Sequence, residues 1–281
     1  MLADATTLSP TVARLAVRTP TLPPATHTNM YLVGTGEAVL VEPASPFEEE
    51  IERAVAWAEQ QQRHGLRLLA VLATHHHGDH IGGAARMCQR LGLPLWAHGR
   101  TADRAPHVTV DRYLEEGETI ELDGPVPTRL SCVLTPGHAP GHLCFRDSHS
   151  NMLLAGDMVA STGTILVEPR DGDMRLYLDS LARLKAMDPS ALLPAHGEVI
   201  TDVVAKLDHY IAHRLAREQR ILTALRDHGN AASAVDLLPV AYADAPRSVW
   251  PLAALSAEAH LIKLESDGLV ARSRDGWVAI S

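Results

Sequence analysis

The chain has 281 residues, of which 46% are hydrophobic and 21% charged. That suits one large domain, or one large and one small, and it excludes wholesale disorder, a collagen-like repeat and a disulfide mini-scaffold. A formal net charge of -9 argues against broad nucleic-acid binding, which needs phosphate-neutralising Lys and Arg. The acidity lies in the first 202 residues, since acidic and basic residues balance from 203 onward. The longest apolar runs, such as residues 68–73, fall well short of a membrane span of ~20 residues, so no membrane association is expected. Residues 1–10 carry Asp4 and no basic segment followed by an apolar one, so no signal peptide is expected. Cys88, Cys132 and Cys144 are odd in number and widely spaced, which points to a reducing cytoplasm rather than a disulfide framework. Sixteen histidines are the compositional anomaly.

In chain order, residues 30–33 and 38–41 are short apolar runs around Gly34-Thr35-Gly36, a hairpin signal. Residues 46–64 read as a helix, with Ile51, Val55 and Ala58 at helical spacing and Gly65 at its end. Residues 66–73 form a buried strand by length and continuous apolarity. A second helix is expected over 81–91 with Gly92 as its stop, then a strand over 94–97. Strands follow at 130–134, 142–145 and 152–155, a helix at 173–187, and a short strand at Leu192 and Leu193. This α+β mixture is best layered as two sheets with helices outside.

After Ile200 the texture changes. Residues 202–228 read as one long helix with Leu207, Ile211, Leu215, Ile221, Leu222 and Leu225 on its apolar side. Short helices over 231–238 and 256–266 follow. Turns at Asp267-Gly268 and Asp275-Gly276 then close the chain with a hairpin, a winged-helix pattern. Two domains are therefore expected, 1–202 and 203–281.

The chemistry concentrates at Thr74-His75-His76-His77-Gly78-Asp79-His80, after the strand over 66–73. Three imidazoles and a carboxylate in H-x-H-x-D-H spacing suit zinc, and leave iron or manganese open. On an extended loop His75 and His77 point to one centre and His76 points away, while Asp79 and His80 reach a neighbouring centre. One loop cannot fill two coordination spheres. Further donors stand at other strand ends: His138 in Thr135-Pro136-Gly137-His138, Asp157 after Leu154-Ala155-Gly156, and His196 in Leu193-Pro194-Ala195-His196-Gly197.

In these motifs, over about residues 29–200, the chain resembles the metallo-β-lactamase superfamily. The resemblance implies a four-layer αβ/βα sandwich. It implies a first metal held by His75, His77 and His138, and a second held by Asp79, His80 and His196, with Asp157 bridging. Two zinc ions are the implied cofactors, a metal-bridging hydroxide the nucleophile, and Asp79 and Asp157 the catalytic carboxylates. The family usually has Asp where this chain has Glu42, which is expected to support the metal loop rather than ligate. His142 matches a recurrent non-ligand histidine.

Residues 163–165 with 177–181, and residues 260–270, resemble the winged-helix-tailed branch, which includes endoribonucleases and enzymes acting on acyl thioesters. The tail does not resemble that of glyoxalase II, which shares the metal motifs. The expected activity is hydrolysis of a small acyl substrate such as a thioester. The alternatives are a single-stranded RNA endoribonuclease, a mononuclear iron sulfur dioxygenase, and a winged-helix nucleic-acid binder contacting phosphate through Lys263, Arg272 and Arg274. The tail is expected to act as a wall and lid over the metal cleft, or as a homodimer contact.

Overall fold

The computed structural model describes residues 5–280. Residues 1–4, part of the segment read for a signal peptide, lie outside the described residues. The elements run β1 (Ala5–Thr7), β2 (Val12–Arg18), β3 (His27–Gly34), β4 (Glu37–Val41), α1 (Glu48–Arg63), β5 (Arg67–Leu72), α2 (Gly78–Ile81), α3 (Ala84–Leu91), β6 (Leu95–Ala97), α4 (Gly99–Arg104), β7 (Arg112–Tyr113), β8 (Thr119–Leu122), β9 (Thr128–Leu134), β10 (Leu143–Asp147) and β11 (Met152–Gly156). Then follow α5 (Met174–Ala186), β12 (Ala191–Pro194), α6 (Val203–His228), α7 (Ala234–Ala241), α8 (Trp250–Ser266), β13 (Val270–Ser273) and β14 (Gly276–Ala279). Among the described residues, no helix is long and apolar enough to cross a membrane.

Two compact units divide the chain. The first takes the residues up to 135, with 141–164 and 187–203; the second takes 136–140, 165–186 and the residues from 204 onward.

In the first unit β1 to β7 form one sheet in sequence order, and β12-β11-β10-β9-β8 form another. The hairpin read at Gly34-Thr35-Gly36 is present, with Leu32 opposite Leu40. From β4 through β7 the pairing is parallel. Strands buried on both faces carry continuous apolar runs, as in Leu68 to Leu72. Val12, Tyr31, Val39 and Leu72 of the first sheet meet Ile120, Leu130, Phe145 and Leu193 of the second in one core. The opposite face of the first sheet packs on α1 and α3 through Ile51, Val55, Trp57 and Met87. α1 opens on Glu48, Glu49 and Glu50, which favour the positive end of its dipole.

One expected helix is broken. Residues 78–91 form two short helices separated by Gly82 and Gly83. A Cβ on Gly82 would stand 2.3 Å from the Gly78 carbonyl, and one on Gly83 2.5 Å from the Ser45 carbonyl. The Gly78 carbonyl thus requires a glycine at 82, and close approach of the 43–45 loop requires one at 83. The strands β1, β2, β7 and β8 had no strong sequence signal, because arginines and alanines dilute the alternation in β2.

The second unit builds its core from Ile221, Leu222 and Leu225 of α6, Leu237 and Leu238 of α7, Leu261 and Leu264 of α8, and Trp277 of the closing hairpin. A capping box of Ser233 and Asp236 starts α7. The apolar stripe expected on α6 needs correction. Leu215 is exposed, whereas Tyr210, Arg214, Arg217 and Glu218 are buried. The burial is affordable because Arg217 pairs with Asp244, and Glu218 meets both His260 at 3.1 Å and Lys263 at 2.7 Å.

A buried carboxylate ties the two sheets of the first unit together. Asp147 accepts from Thr11 Oγ1 at 2.7 Å, from the Ser150 amide at 2.9 Å, and from the Thr128 hydroxyl. Burial raises its pKa, but the Ser150, Thr128 and Thr11 hydrogen bonds outweigh that and hold it below the usual carboxylate value. A depressed folded-state pKa contributes stability above the unfolded value and loses it as pH falls. Asp147→Asn should therefore cost about 2–4 kcal/mol at neutral pH in chemical denaturation. The gap to the parent should narrow below pH ~4. A gap that is constant with pH would contradict this role.

Candidate metal centre

Expected ligands, and the expected support Glu42, follow the carboxyl ends of strands. The loop 74–80 leaves β5, Asp157 follows β11, His196 follows β12, and Glu42 follows β4. Since β4 pairs parallel with β5 and β11 with β12, the members of each pair end on the same edge. The first unit therefore gathers His75, His77, Asp79, His80, Asp157 and His196. Ligand atoms of His75, His80 and Asp157 lie within 4.8 Å of one another, as do those of Asp79, His80 and His196. His75 Nε2 and His77 Nδ1 stand 3.0 Å apart. His138 lies on the turn 136–140, grouped with the second unit, where its Nδ1 is 2.8 Å from the Leu166 carbonyl. His76 is in neither of the groups formed by His75, Asp79, His80, Asp157 and His196.

The outward nitrogens are held by protein groups. Glu42 Oε1 accepts from Thr74 Oγ1 at 2.7 Å and from His80 Nδ1 at 3.1 Å. With its proton on Glu42, the Thr74 hydroxyl accepts from His75 Nδ1 at 3.0 Å. His196 Nδ1 donates to the His27 carbonyl at 3.0 Å. These contacts fix the tautomers and turn each Nε2 inward, as outer partners do for metal-ligating imidazoles. Glu42 acts as the sequence suggested, although its backbone sits at φ 68, an uncommon conformation for a residue with a side chain.

His142 supports the centre without joining it. Its Nδ1 bonds Thr135 Oγ1 at 2.8 Å, and its Nε2 accepts from the Asp157 amide at 3.0 Å. Gly156, at φ +47, makes room: a Cβ there would stand 2.5 Å from His142 Nε2.

The charges are complementary. Burial disfavours the charged form of His80, but Asp157 and Glu42 overcome this and raise its pKa well above the usual value. Burial likewise opposes the charge on His196, whose pKa Asp157 raises. Asp157 is held well below the usual carboxylate range, with His80 and His196 outweighing its burial. His80 Nε2 is buried with no hydrogen-bond partner, 3.4 Å from Asp157 Oδ2 and 3.8 Å from Asp79 Oδ2. A buried imidazole nitrogen without a hydrogen bond, facing two carboxylates, fits a divalent cation of the zinc type.

Several contributors carried no chemical signal in the sequence. Thr21 Oγ1 lies 3.4 Å from His196 Nε2, and Asn29 and Tyr31 bond the segment that carries His196. Polar residues inside an apolar strand, as at Asn29 in β3, were the available hint. Beside His196 opens a cavity of about 440 Å³, lined among others by Arg14, Ala16, Pro24, Ala25 and Ser161.

A family model described as metallo-beta-lactamase superfamily matches residues 23–196. One described as beta-lactamase associated winged helix domain matches residues 233–277. The beta-lactamase-like protein 2 homolog of Caenorhabditis elegans is 31% identical over 248 residues, covering 86% of this chain and 80% of that protein. An atrochrysone carboxyl ACP thioesterase of Aspergillus chevalieri is 31% identical over 228 residues, covering 80% and 69%. A crystal structure of a beta-lactamase domain protein from Burkholderia ambifaria is similar at TM-score 0.81 and 25% identity, covering 99% of this chain and 94% of that one.

Glu42 offers a direct test of the outer contacts. Glu42→Ala should weaken metal binding by ~10–100-fold in a chelator competition, because His80 and Thr74 lose their common acceptor. Unchanged affinity would show that the contact is incidental.

Proposed function

The chain belongs to the metallo-beta-lactamase superfamily of hydrolases, and on that premise we propose that it hydrolyses a small acyl substrate, such as a thioester, with two divalent metals, zinc foremost. The observation that carries this reading is the convergence of His75, His80 and His196 nitrogens with Asp79 and Asp157 oxygens at one set of strand ends. In this reading His75, His77 and His138 hold the first metal. Asp79, His80 and His196 would hold the second, and Asp157 would serve both. With its Nδ1 engaged by the Leu166 carbonyl, His138 would offer Nε2.

When bound, such a metal pair lowers the pKa of water and polarises a scissile carbonyl. The protein's own part is to hold the ligands and to move a proton. Asp157 is fixed through its amide by His142, so its carboxylate stays aimed. Asp79 is the more exposed of the two carboxylates, at 18% against 10%, and in this reading it would be the one to take up a proton.

Three observations support a small acyl substrate over RNA. The cavity beside His196, about 440 Å³, has the size of a small-molecule site. Two of the three cations expected to meet phosphate are engaged: Lys263 pairs with Glu218 and Asp267, and Arg272 with Glu258. A relative named as a thioesterase points to thioesters as a substrate class.

Protein purified without chelator should hold about two metals per chain and hydrolyse acyl thioesters in a panel that includes lactones and single-stranded RNA. One iron alone would favour the dioxygenase, and RNA cleavage with inert thioesters the endoribonuclease. Asp79→Ala should lose the second metal and most turnover, while His76→Ala should keep its metals. Equal metal loss in both would overturn the assignment of the loop.

A further inference from the structure

Strand β3 grips the segment that carries His196. The Asn29 amide donates to the Ala195 carbonyl at 2.7 Å. Asn29 Nδ2 donates to the Pro194 carbonyl at 2.9 Å and to the Gly197 carbonyl at 2.8 Å. Tyr31 Oη donates to the same Pro194 carbonyl at 2.7 Å. His27, two residues before Asn29, supplies the carbonyl that holds His196 Nδ1. Residues 27, 29 and 31 share one side of an extended strand, so three successive rungs seize residues 194–197. From the other side of β3, Thr28 Oγ1 donates to the Asp79 carbonyl at 2.9 Å.

Asn29 and Tyr31 are buried, at 4% and 1% exposure. Both neighbours of Nδ2 are carbonyls, so only the amide nitrogen can face them, and both its hydrogens are used. Burial raises the Tyr31 pKa, which keeps the phenol a donor. Within the first unit, this cluster touches the segments of Asp79 and His196 and makes no contact with His75 or His77 through these bonds.

We propose that Asn29 is a positioning residue for the second metal: by bridging the Pro194 and Gly197 carbonyls it sets the bend that aims His196, and so tunes occupancy of that site separately from the first. The inference rests on the two-metal reading. It adds that the strength of the second site is built into β3, not only into the ligands.

The test uses the full chain, stripped of metal and titrated with Co²⁺ against a competing chelator, with the visible spectrum recorded at each step. In Asn29→Ala the second step should weaken by ~10–100-fold and its absorption should change, while the first step stays as in the parent. Tyr31→Phe keeps the shape of the ring and removes one donor, so it should weaken the second step less and spare the first. It carries the same test if Asn29→Ala does not fold. Two steps with parental affinity in both variants, or equal weakening of both steps, would overturn the inference while leaving the two-metal reading intact. A parent chain that takes up one Co²⁺ only would overturn the two together.

Discussion

A buried carboxylate must be met by donors, and the contacts of Glu42 organise the centre. It lies at 1% exposure just beyond β4. Its Oε1 takes both the Thr74 hydroxyl and His80 Nδ1. From there the order propagates. Thr74 is left to accept from His75, and His80 is turned so that Nε2 faces Asp157. Asp157 is fixed through its amide by His142, and His142 by Thr135 at the end of β9. Two sets of bonds, one from each sheet of this unit, thus meet where His80 Nε2 faces Asp157 Oδ2 at 3.4 Å. Removing one partner of these bonds would leave a further buried polar group unpaired, at the cost of its desolvation.

The apolar sandwich gives this polar set its rigidity. Leu72, Leu154 and Leu193 pack in the core just before the ends of β5, β11 and β12 that lead into the expected ligands, and Val39 and Val41 just before Glu42. Side chains at the ends of packed strands move little, and ligands set on such elements are preorganised. The ligands themselves sit on short loops and turns, where backbone polar groups can be turned toward side chains. Thr28, Asn29 and Tyr31 do this work on carbonyls rather than on the rings.

The centre was legible because its donors crowd into H-x-H-x-D-H and recur after apolar runs. Residue type and spacing were enough to name His75, Asp79, His80, Asp157 and His196 as a set. What lay beyond sequence was which partners hold the outer nitrogens. Neither His27, which acts through its carbonyl, nor Asn29, which acts on carbonyls far along the chain, has a local pattern. The α6 stripe shows a related limit. Arg214 and Arg217 look like surface residues until Ile165 and Asp244 supply their partners, and Leu215 looks like core until it is seen at 48% exposure. The break at Gly82-Gly83 depended on a contact with the 43–45 loop, which periodicity along one helix cannot reveal.

The central claim is that the protein fixes its ligand rings before any metal arrives. Side-chain nitrogen NMR of the histidines, in the metal-free and the zinc-loaded chain, tests it most directly. His80 and His196 should show an Nδ1 proton protected from exchange in both states, since Glu42 and the His27 carbonyl hold it, with zinc shifting the Nε2 resonances most. Unprotected Nδ1 protons in the metal-free chain, or loss of the Nδ1 proton when zinc binds, would contradict that claim.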